Sequence, residues 1–402
     1  MKVRMIILTL AAALALAAPA AAQKQYSPGV SDTEIKIGNT NPYSGPASPY
    51  GTVGRTQAAY FNMINEQGGV NGRKIDFLTL DDGYSPPKTV EQVRRLVESD
   101  QVLLLFANVG TATNLAIHKY LNLKKVPQFF VSSGFSKWND PKNFSWTIGW
   151  WPSYYIEGGI FGRYVLDNVP NPKVAVLYQD DDSGKEYVAG IKHAFGDKAK
   201  SIVVSEASYE STDPTVDSQV IQLAGSGANV FFNGGTPKFI AQAIRKAHDL
   251  GWKPVQLLPS TSSSVKSTLE PAGLEASIGV ITAQYLKDPT DPQWANDADV
   301  NAWRAFINKY YPEGSKSDYL NVYAYAVAAS LVYVLKQTGD DLTRENIMRQ
   351  ASSLKNVSVP LLLPGIRLNT SPTDFASIKQ MQLAKFNGKA WQLFGPLIGA
   401  PQ

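Results

Sequence analysis

The chain has 402 residues, 44% hydrophobic and 18% charged, with a formal net charge of +4. That length exceeds what one core usually serves, so two domains are expected. The absence of cysteine excludes disulfides, thiolate metal sites, thiol nucleophiles and an acylated lipoprotein cysteine, and no block of like charge offers the basic face that nucleic acid needs.

Residues 1–22 come first. Lys2 and Arg4 precede an apolar run over 5–18, too short for a comfortable membrane span. Ala20-Ala21-Ala22 supplies the small-x-small cleavage pattern of a secretory signal, with the cut before Gln23. The expectation is an exported protein without a membrane anchor, free in the periplasm.

Residues 35–38 read as a strand. A helix over 51–66 follows, with Val53, Tyr60, Phe61 and Ile64 at helical spacing. Residues 75–80 alternate like a strand. Ser85 is placed to cap a helix with Pro86 at its first position, and Val90, Val93 and Val97 form its buried stripe. Strands at 102–106 and 128–131 flank a helix over 115–122. After a break at 146–152 the rhythm restarts. Helices over 156–169, 186–195, 216–224 and 238–250 then alternate with strands at 174–178, 201–205, 230–232, 255–258 and 279–282. Helices over 300–310 and 319–335 follow. The tail, 381–386 and 391–394 around Asn387-Gly388, reads as a hairpin.

Apolar strands alternating with amphipathic helices imply a parallel sheet covered on both faces. Two such blocks imply an α/β protein with two doubly wound parallel-sheet lobes. Open α/β sheets bind ligands beyond the carboxyl ends of their strands. The segments there are 39–50, 108–113, 132–136, 179–184, 233–237 and 259–264, rich in Gly, Ser, Thr and Asn. They can offer amides and hydroxyls to a polar or anionic group. Equally, they can be turn and cap residues.

No catalytic constellation emerges. His118, His193 and His248 each sit alone in an expected helix, with no partner at metal spacing. Val131-Ser132-Ser133-Gly134 lacks the first glycine of a nucleophile elbow. The run Asp180-Asp181-Asp182-Ser183-Gly184-Lys185 lacks the upstream glycine of a phosphate loop, and Glu186 stands where Ser or Thr belongs. It also lacks the spacing of a calcium loop, and reads as a polar strand-to-helix turn. No catalytic residue, metal site or cofactor is expected.

The segments IKIGNTNPYSGPASPYG (35–51) and INEQGGVNGRKIDFLTLDD (64–82) are more specific. They carry Ser44-Gly45-Pro46, Tyr50-Gly51, Gly68-Gly69-Val70-Asn71-Gly72 and Asp81-Asp82. This opening resembles the branched-chain amino-acid (Leu/Ile/Val) type of periplasmic binding protein that feeds ABC transporters. Val126-Pro127, Asp182-Ser183-Gly184 and Phe232-Asn233-Gly234-Gly235 match more loosely. The resemblance implies a type I periplasmic binding protein fold, with lobes joined by a three-crossing hinge. Crossings are expected near Gly149-Trp150, at 282–286 and within 368–378. Lobe 1 would combine 24–148 with 286–372, and lobe 2 would combine 149–285 with 373–402. A small-molecule ligand in the cleft, the membrane permease of an ABC transporter as partner, and a monomeric protein are implied with it.

The family's ligand contacts map by resemblance onto Tyr50, the loop Asn108 to Thr111, the loop Ser132 to Phe135 (Ser132, Ser133 and Phe135), and Tyr285. Ser183 and Asn233 stand on further cleft loops. Departures accompany the matches. Thr261 stands where the family has the acidic residue that holds a ligand ammonium. Gly110 replaces a serine that grips the ligand carboxylate, leaving Thr111 as the nearby hydroxyl. Ser183 replaces a tyrosine. A buried carboxylate is the natural partner of an ammonium in a dry cleft. Its loss points away from an α-amino acid and towards an uncharged or anionic ligand, such as an aromatic or other hydrophobic carboxylate. Trp150, at the first crossing, can stack on a flat ligand or pack the hinge; Trp151 and Tyr155 are assigned to packing. The alternatives are a true branched-chain amino-acid binder and a periplasmic sensor that presents its ligand to a receptor. An enzyme is not expected, for want of a nucleophile–base pair.

Overall fold

The computed structural model describes residues 24–399; the expected signal segment, 1–22, lies outside them. Two sheets organise the chain. The first has five parallel strands in the order Lys74–Asp81, Glu34–Asn41, Leu104–Phe106, Gln128–Val131, Thr147–Gly149. Its middle strand, Leu104–Phe106, is wholly buried, as helices on both faces require. The second sheet has seven strands, in the order Trp391–Gly399, Gln380–Phe386, Ile281–Gln284, Val255–Leu257, Val230–Gly234, Val174–Gln179, Val203–Tyr209. All run in one direction except Gln380–Phe386, which lies antiparallel between Ile281–Gln284 and its hairpin partner Trp391–Gly399. This is the expected α/β class with two doubly wound lobes.

Helices Ala298–Tyr310 and Tyr319–Gln337 pack on Gly51–Glu66, on the side of the first sheet. Tyr325 meets Tyr60 and Phe306 edge-on, with centroids 4.8 and 5.0 Å apart. Tyr319–Gln337 is long and apolar enough to cross a membrane, but 89% of that stretch is buried within the protein, which makes it a core helix. In the other lobe, Tyr154–Asn168 and Asp182–Phe195 lie in close contact. Glycines permit it: a Cβ on Gly190 would stand 2.2 Å from the Tyr155 carbonyl oxygen, and one on Gly158 2.5 Å from that of Tyr187.

Several elements differ from the sequence expectation. The strand expected at 201–205 lies at Val203–Tyr209, because Ala199–Ile202 completes a helical turn. Its first four residues alternate half-buried and exposed, and Val204 outward with Ser205 inward breaks the apolar pattern that would mark an edge strand in the sequence. The strand expected at 279–282 begins at Ile281, since Gly279 takes φ +87° and turns the chain. Ser85 stands at the N-cap of Pro86–Arg94, but its side chain makes no cap bond. The Asp82 carboxylate holds this turn instead, accepting from Tyr84 N–H at 2.9 Å and Thr89 Oγ at 3.0 Å. Arg344–Ala351 is a further helix, whose few apolar residues leave little pattern in the sequence. His118 is buried, with its ring 4.0 Å from that of Phe144 and 5.1 Å from that of Trp138. Burial pulls its pKa down to about 4, with Lys137 adding to the effect, so it serves as a neutral core ring.

Candidate functional site

Two small chambers lie where the carboxyl ends of both sheets meet, with volumes of about 30 and 40 Å³. Tyr50, Tyr84, Tyr154 and Thr261 line both, forming a common wall. The first chamber adds Val53, Val109, Gly110, Ser132, Trp151, Leu320 and Tyr323. The second adds Gln179, Ser183, Gly184, Tyr187, Gly234, Gly235, Thr236 and Pro259. Each lobe therefore supplies a half.

Strand ends place most of these groups, as open α/β sheets dictate. Tyr50 precedes the helix Gly51–Glu66, and Tyr84 follows the strand Lys74–Asp81 in a left-handed turn, φ +62°. Asp81 anchors the neighbouring loop, accepting from Tyr43 N–H at 2.9 Å and Gly83 N–H at 3.0 Å. Gly110 opens Thr111–Lys124 at φ +100°; a Cβ there would stand 2.5 Å from the Tyr84 ring, so only glycine fits. On the opposite lobe, Asp181 caps Asp182–Phe195 by accepting from Ser183 N–H at 2.9 Å and Gly184 N–H at 3.0 Å. This is the polar strand-to-helix turn read in the sequence.

Hydrogen bonds cross between the lobes around the chambers. Tyr50 Oη and Ser262 Oγ are 3.1 Å apart. Ser264 Oγ donates to Asp318 Oδ1 at 2.8 Å, and Ser136 N–H donates to the Glu186 carboxylate at 3.1 Å. Tyr154 N–H donates to the Gly134 carbonyl at 2.8 Å.

Nothing on the walls carries charge. The lining contains no Asp, Glu, Lys, Arg or His. Burial raises the pKa of Tyr50, Tyr84 and Tyr187 far above the usual phenol value and pushes that of Tyr154 up to about 12. The phenols thus stay neutral, each offering one donor and an acceptor oxygen. The walls combine flat apolar faces with hydroxyls, the chemistry that suits a planar ligand carrying a few polar groups; at about 30 and 40 Å³ the chambers must widen to admit one.

Of the residues singled out in the sequence, Tyr50, Gly110, Ser132, Ser183 and Thr261 reach the chambers. Thr111 and Ser133 stand one layer behind, with hydroxyls 2.7 Å apart and beside Tyr154. The others point elsewhere. Asn108 Nδ2 donates to Thr40 Oγ1 at 2.8 Å, and Asn233 Nδ2 donates to the Ile240 carbonyl at 3.2 Å. Phe135 meets Trp138 edge-on. Tyr285 is buried among Trp150, Trp151 and Tyr319. Trp150 is wholly buried and donates through Nε1 to Ser330 Oγ at 2.9 Å, and Trp151, assigned to packing in the sequence, lines the first chamber. Tyr84, Tyr187 and Tyr323 join the lining without being among the residues expected from the sequence. Tyr84 follows a strand end, so the strand-end rule alone could have found it. Tyr187 and Tyr323 lie inside helices, where an aromatic reads as core.

Residues 34–390 match the family model described as a periplasmic binding protein. The chain belongs to this family. Among curated relatives of this periplasmic binding protein is Leu/Ile/Val-binding protein homolog 1 from Brucella abortus (strain 2308). That relative is 23% identical over 336 residues, which cover 81% of this chain and 84% of the relative. Solved structures share the fold. A branched-chain amino acid ABC transporter protein from Thermus thermophilus with bound valine aligns with a TM-score of 0.81 at 15% identity, covering 92% of this chain and 98% of its own. A solute binding protein of an ABC transporter from Rhodopseudomonas palustris BisB5, in complex with 3,4-dihydroxybenzoic acid, aligns with a TM-score of 0.76 at 17% identity, with the same coverage.

Proposed function

We propose that this periplasmic binding protein captures a small aromatic or other hydrophobic carboxylic acid between its lobes and delivers it to the permease of an ABC importer. The observation that carries the reading is the chamber lining: five tyrosines (Tyr50, Tyr84, Tyr154, Tyr187 and Tyr323) and Trp151, with no charged side chain. An α-amino acid brings an ammonium into the cleft, and a buried ammonium needs an anionic partner. The position expected to supply it is Thr261, which bears only a hydroxyl. Neutral phenols and hydroxyls can donate to a carboxylate, and the Tyr84, Tyr154 and Trp151 rings can flank a flat body.

The lobes in this proposal are 24–148 plus 286–372 and 149–285 plus 373–402, with the protein working as a monomer in the periplasm by binding alone. Closure is a hinge motion, for which periplasmic binding proteins are the general example. Contacts such as Tyr50–Ser262 and Ser264–Asp318 join the lobes and exist only in the closed form, so a ligand that bridges the same faces shifts the population towards it.

A second reading, a binder of leucine, isoleucine or valine, is favoured by the names of the curated relatives. Thermal shifts against a panel of branched-chain amino acids, benzoates and fatty acids separate the two. The proposal predicts a rise of several degrees with an aromatic or aliphatic acid and none with leucine. A leucine response with silence from every acid would reverse the assignment.

A further inference from the structure

Glu157 is fully buried on the first turn of Tyr154–Asn168, directly behind the chamber walls. Its Oε1 accepts from Ser260 N–H at 2.6 Å. Its Oε2 accepts from the Tyr187 hydroxyl at 3.0 Å and from Ser260 Oγ at 3.1 Å. Tyr187 lines the second chamber. Ser260 Oγ also accepts from Trp151 Nε1 at 3.3 Å, and Trp151 lines the first. One carboxylate therefore orients polar groups behind both chambers.

Among the described residues, no cation answers this charge. Its partners are two hydroxyls and one amide. The titratable groups facing it are phenols: Tyr187 from Asp182–Phe195, Tyr285 from the crossing after Ile281–Gln284, and Tyr319 from Tyr319–Gln337. An ionised carboxylate in such surroundings is costly. Burial raises its pKa to about 7, the Ser260 and Tyr187 bonds offsetting only part of the effect.

The two protonation states present different walls. Ionised, Glu157 draws the Tyr187 and Ser260 protons to itself and leaves acceptor lone pairs facing outward. Protonated, it must donate one hydrogen bond of its own, to Tyr187 Oη or Ser260 Oγ. The hydroxyl that receives it then turns its own proton away from Glu157. Tyr187 has such a direction available, since its hydroxyl also reaches Thr261, which lines both chambers.

We propose that Glu157 is a positioning residue that sets ligand specificity: ionised, it prepares the cleft for ligand groups that donate, and protonated, for a ligand carboxylate. The inference rests on the reading of this cleft as an acid-binding site. A bound anion disfavours a second buried anion behind Tyr187, so the acid binds with uptake of up to one proton by Glu157. Its affinity is then greatest below about pH 7 and falls by up to about tenfold per pH unit above that, until the pKa of the complex is reached.

The test is calorimetry with 4-hydroxybenzoate, an anion throughout, and its neutral counterpart 4-hydroxybenzamide. Each is titrated from pH 5.5 to 8 in two buffers of different ionisation enthalpy, which counts protons. Wild type should take up protons with the acid and lose affinity towards pH 8, while the amide shows neither effect. In Glu157→Gln the acid's affinity should stay within about threefold over the range, with no proton uptake. A flat acid profile in wild type, or an unchanged slope in Glu157→Gln, overturns the proposal while leaving the acid-binding reading intact. Where neither probe binds, the acid of the thermal-shift panel that does bind takes the place of 4-hydroxybenzoate; silence from every acid overturns that reading, and the proposal with it. Should Glu157→Gln fail to fold, Tyr187→Phe removes the hydroxyl between carboxylate and chamber; proton uptake should fall at least twofold, and unchanged uptake contradicts the role.

Discussion

Thr261→Asp should lower the affinity for an aromatic carboxylate by about 100-fold or more. Thr261 belongs to the wall shared by both chambers, so an aspartate there meets the ligand directly. Two like charges about 5 Å apart repel by about 3 kcal/mol at an effective dielectric of about 20. That corresponds to about two powers of ten in affinity. The same substitution supplies the partner that an ammonium lacks, so leucine binding should appear or strengthen. Calorimetry of the variant with 4-hydroxybenzoate and with leucine reads both arms. Unchanged affinity for the acid would mean that the ligand binds away from these chambers.

Gly190→Val should cost the fold about 3 kcal/mol, at the upper end of overpacking effects. The added Cβ meets the Tyr155 carbonyl oxygen at 2.2 Å and Gly159 N at 3.1 Å. These are backbone atoms of a neighbouring helix, so no side chain can step aside. The helices Tyr154–Asn168 and Asp182–Phe195 must separate. Tyr187 then loses both its 3.0 Å bond to Glu157 and its stack on Tyr154, whose ring centroid is 4.6 Å away. The melting temperature should drop by about 6 °C or more, at 2–4 °C per kcal/mol for a lobe of this size, and ligand affinity should fall with it. Gly225→Ala is the control. Gly225 ends its helix in right-handed helical geometry, and the nearest atom to an added Cβ is 3.5 Å away, so its melting temperature should hold or rise slightly. A Gly190→Val protein that melts with wild type would contradict the close helix contact.

The two-lobed architecture was legible because buried strands flanked by helices leave a strong imprint. Leu104 to Phe106 and Val230 to Phe232 are apolar throughout, and the helix stripe at Val53, Tyr60, Phe61 and Ile64 is buried in the structure. Edge elements were less legible. Val203–Tyr209 mixes Ser205, Glu206 and Ser208 irregularly among its apolar residues at the sheet margin, and Arg344–Ala351 carries few apolar residues. Part of the chamber lining was legible, because Tyr50, Gly110, Ser132, Ser183 and Thr261 follow strand ends. Its detail escaped for a physical reason: an aromatic side chain is equally at home in a core and on a cavity wall. Trp150 and Trp151 are neighbours in sequence, yet Trp150 bonds to Ser330 within the protein and Trp151 faces the chamber. Local sequence holds no signal for that choice; the hydrogen-bond partners, Ser330 for Trp150 and Ser260 for Trp151, lie 180 and 109 residues away. Glu157 was invisible for the same reason, since its partners Tyr187 and Ser260 are 30 and 103 residues distant.

The central claim is that this cleft holds an acid lacking an α-ammonium. A native mass spectrum of the protein purified from its own host addresses it most directly, because a tightly held cargo survives gentle purification. The account predicts a retained adduct whose mass and fragments are those of an aromatic or aliphatic carboxylic acid without an amino group. An adduct with the mass of leucine, isoleucine or valine would contradict it.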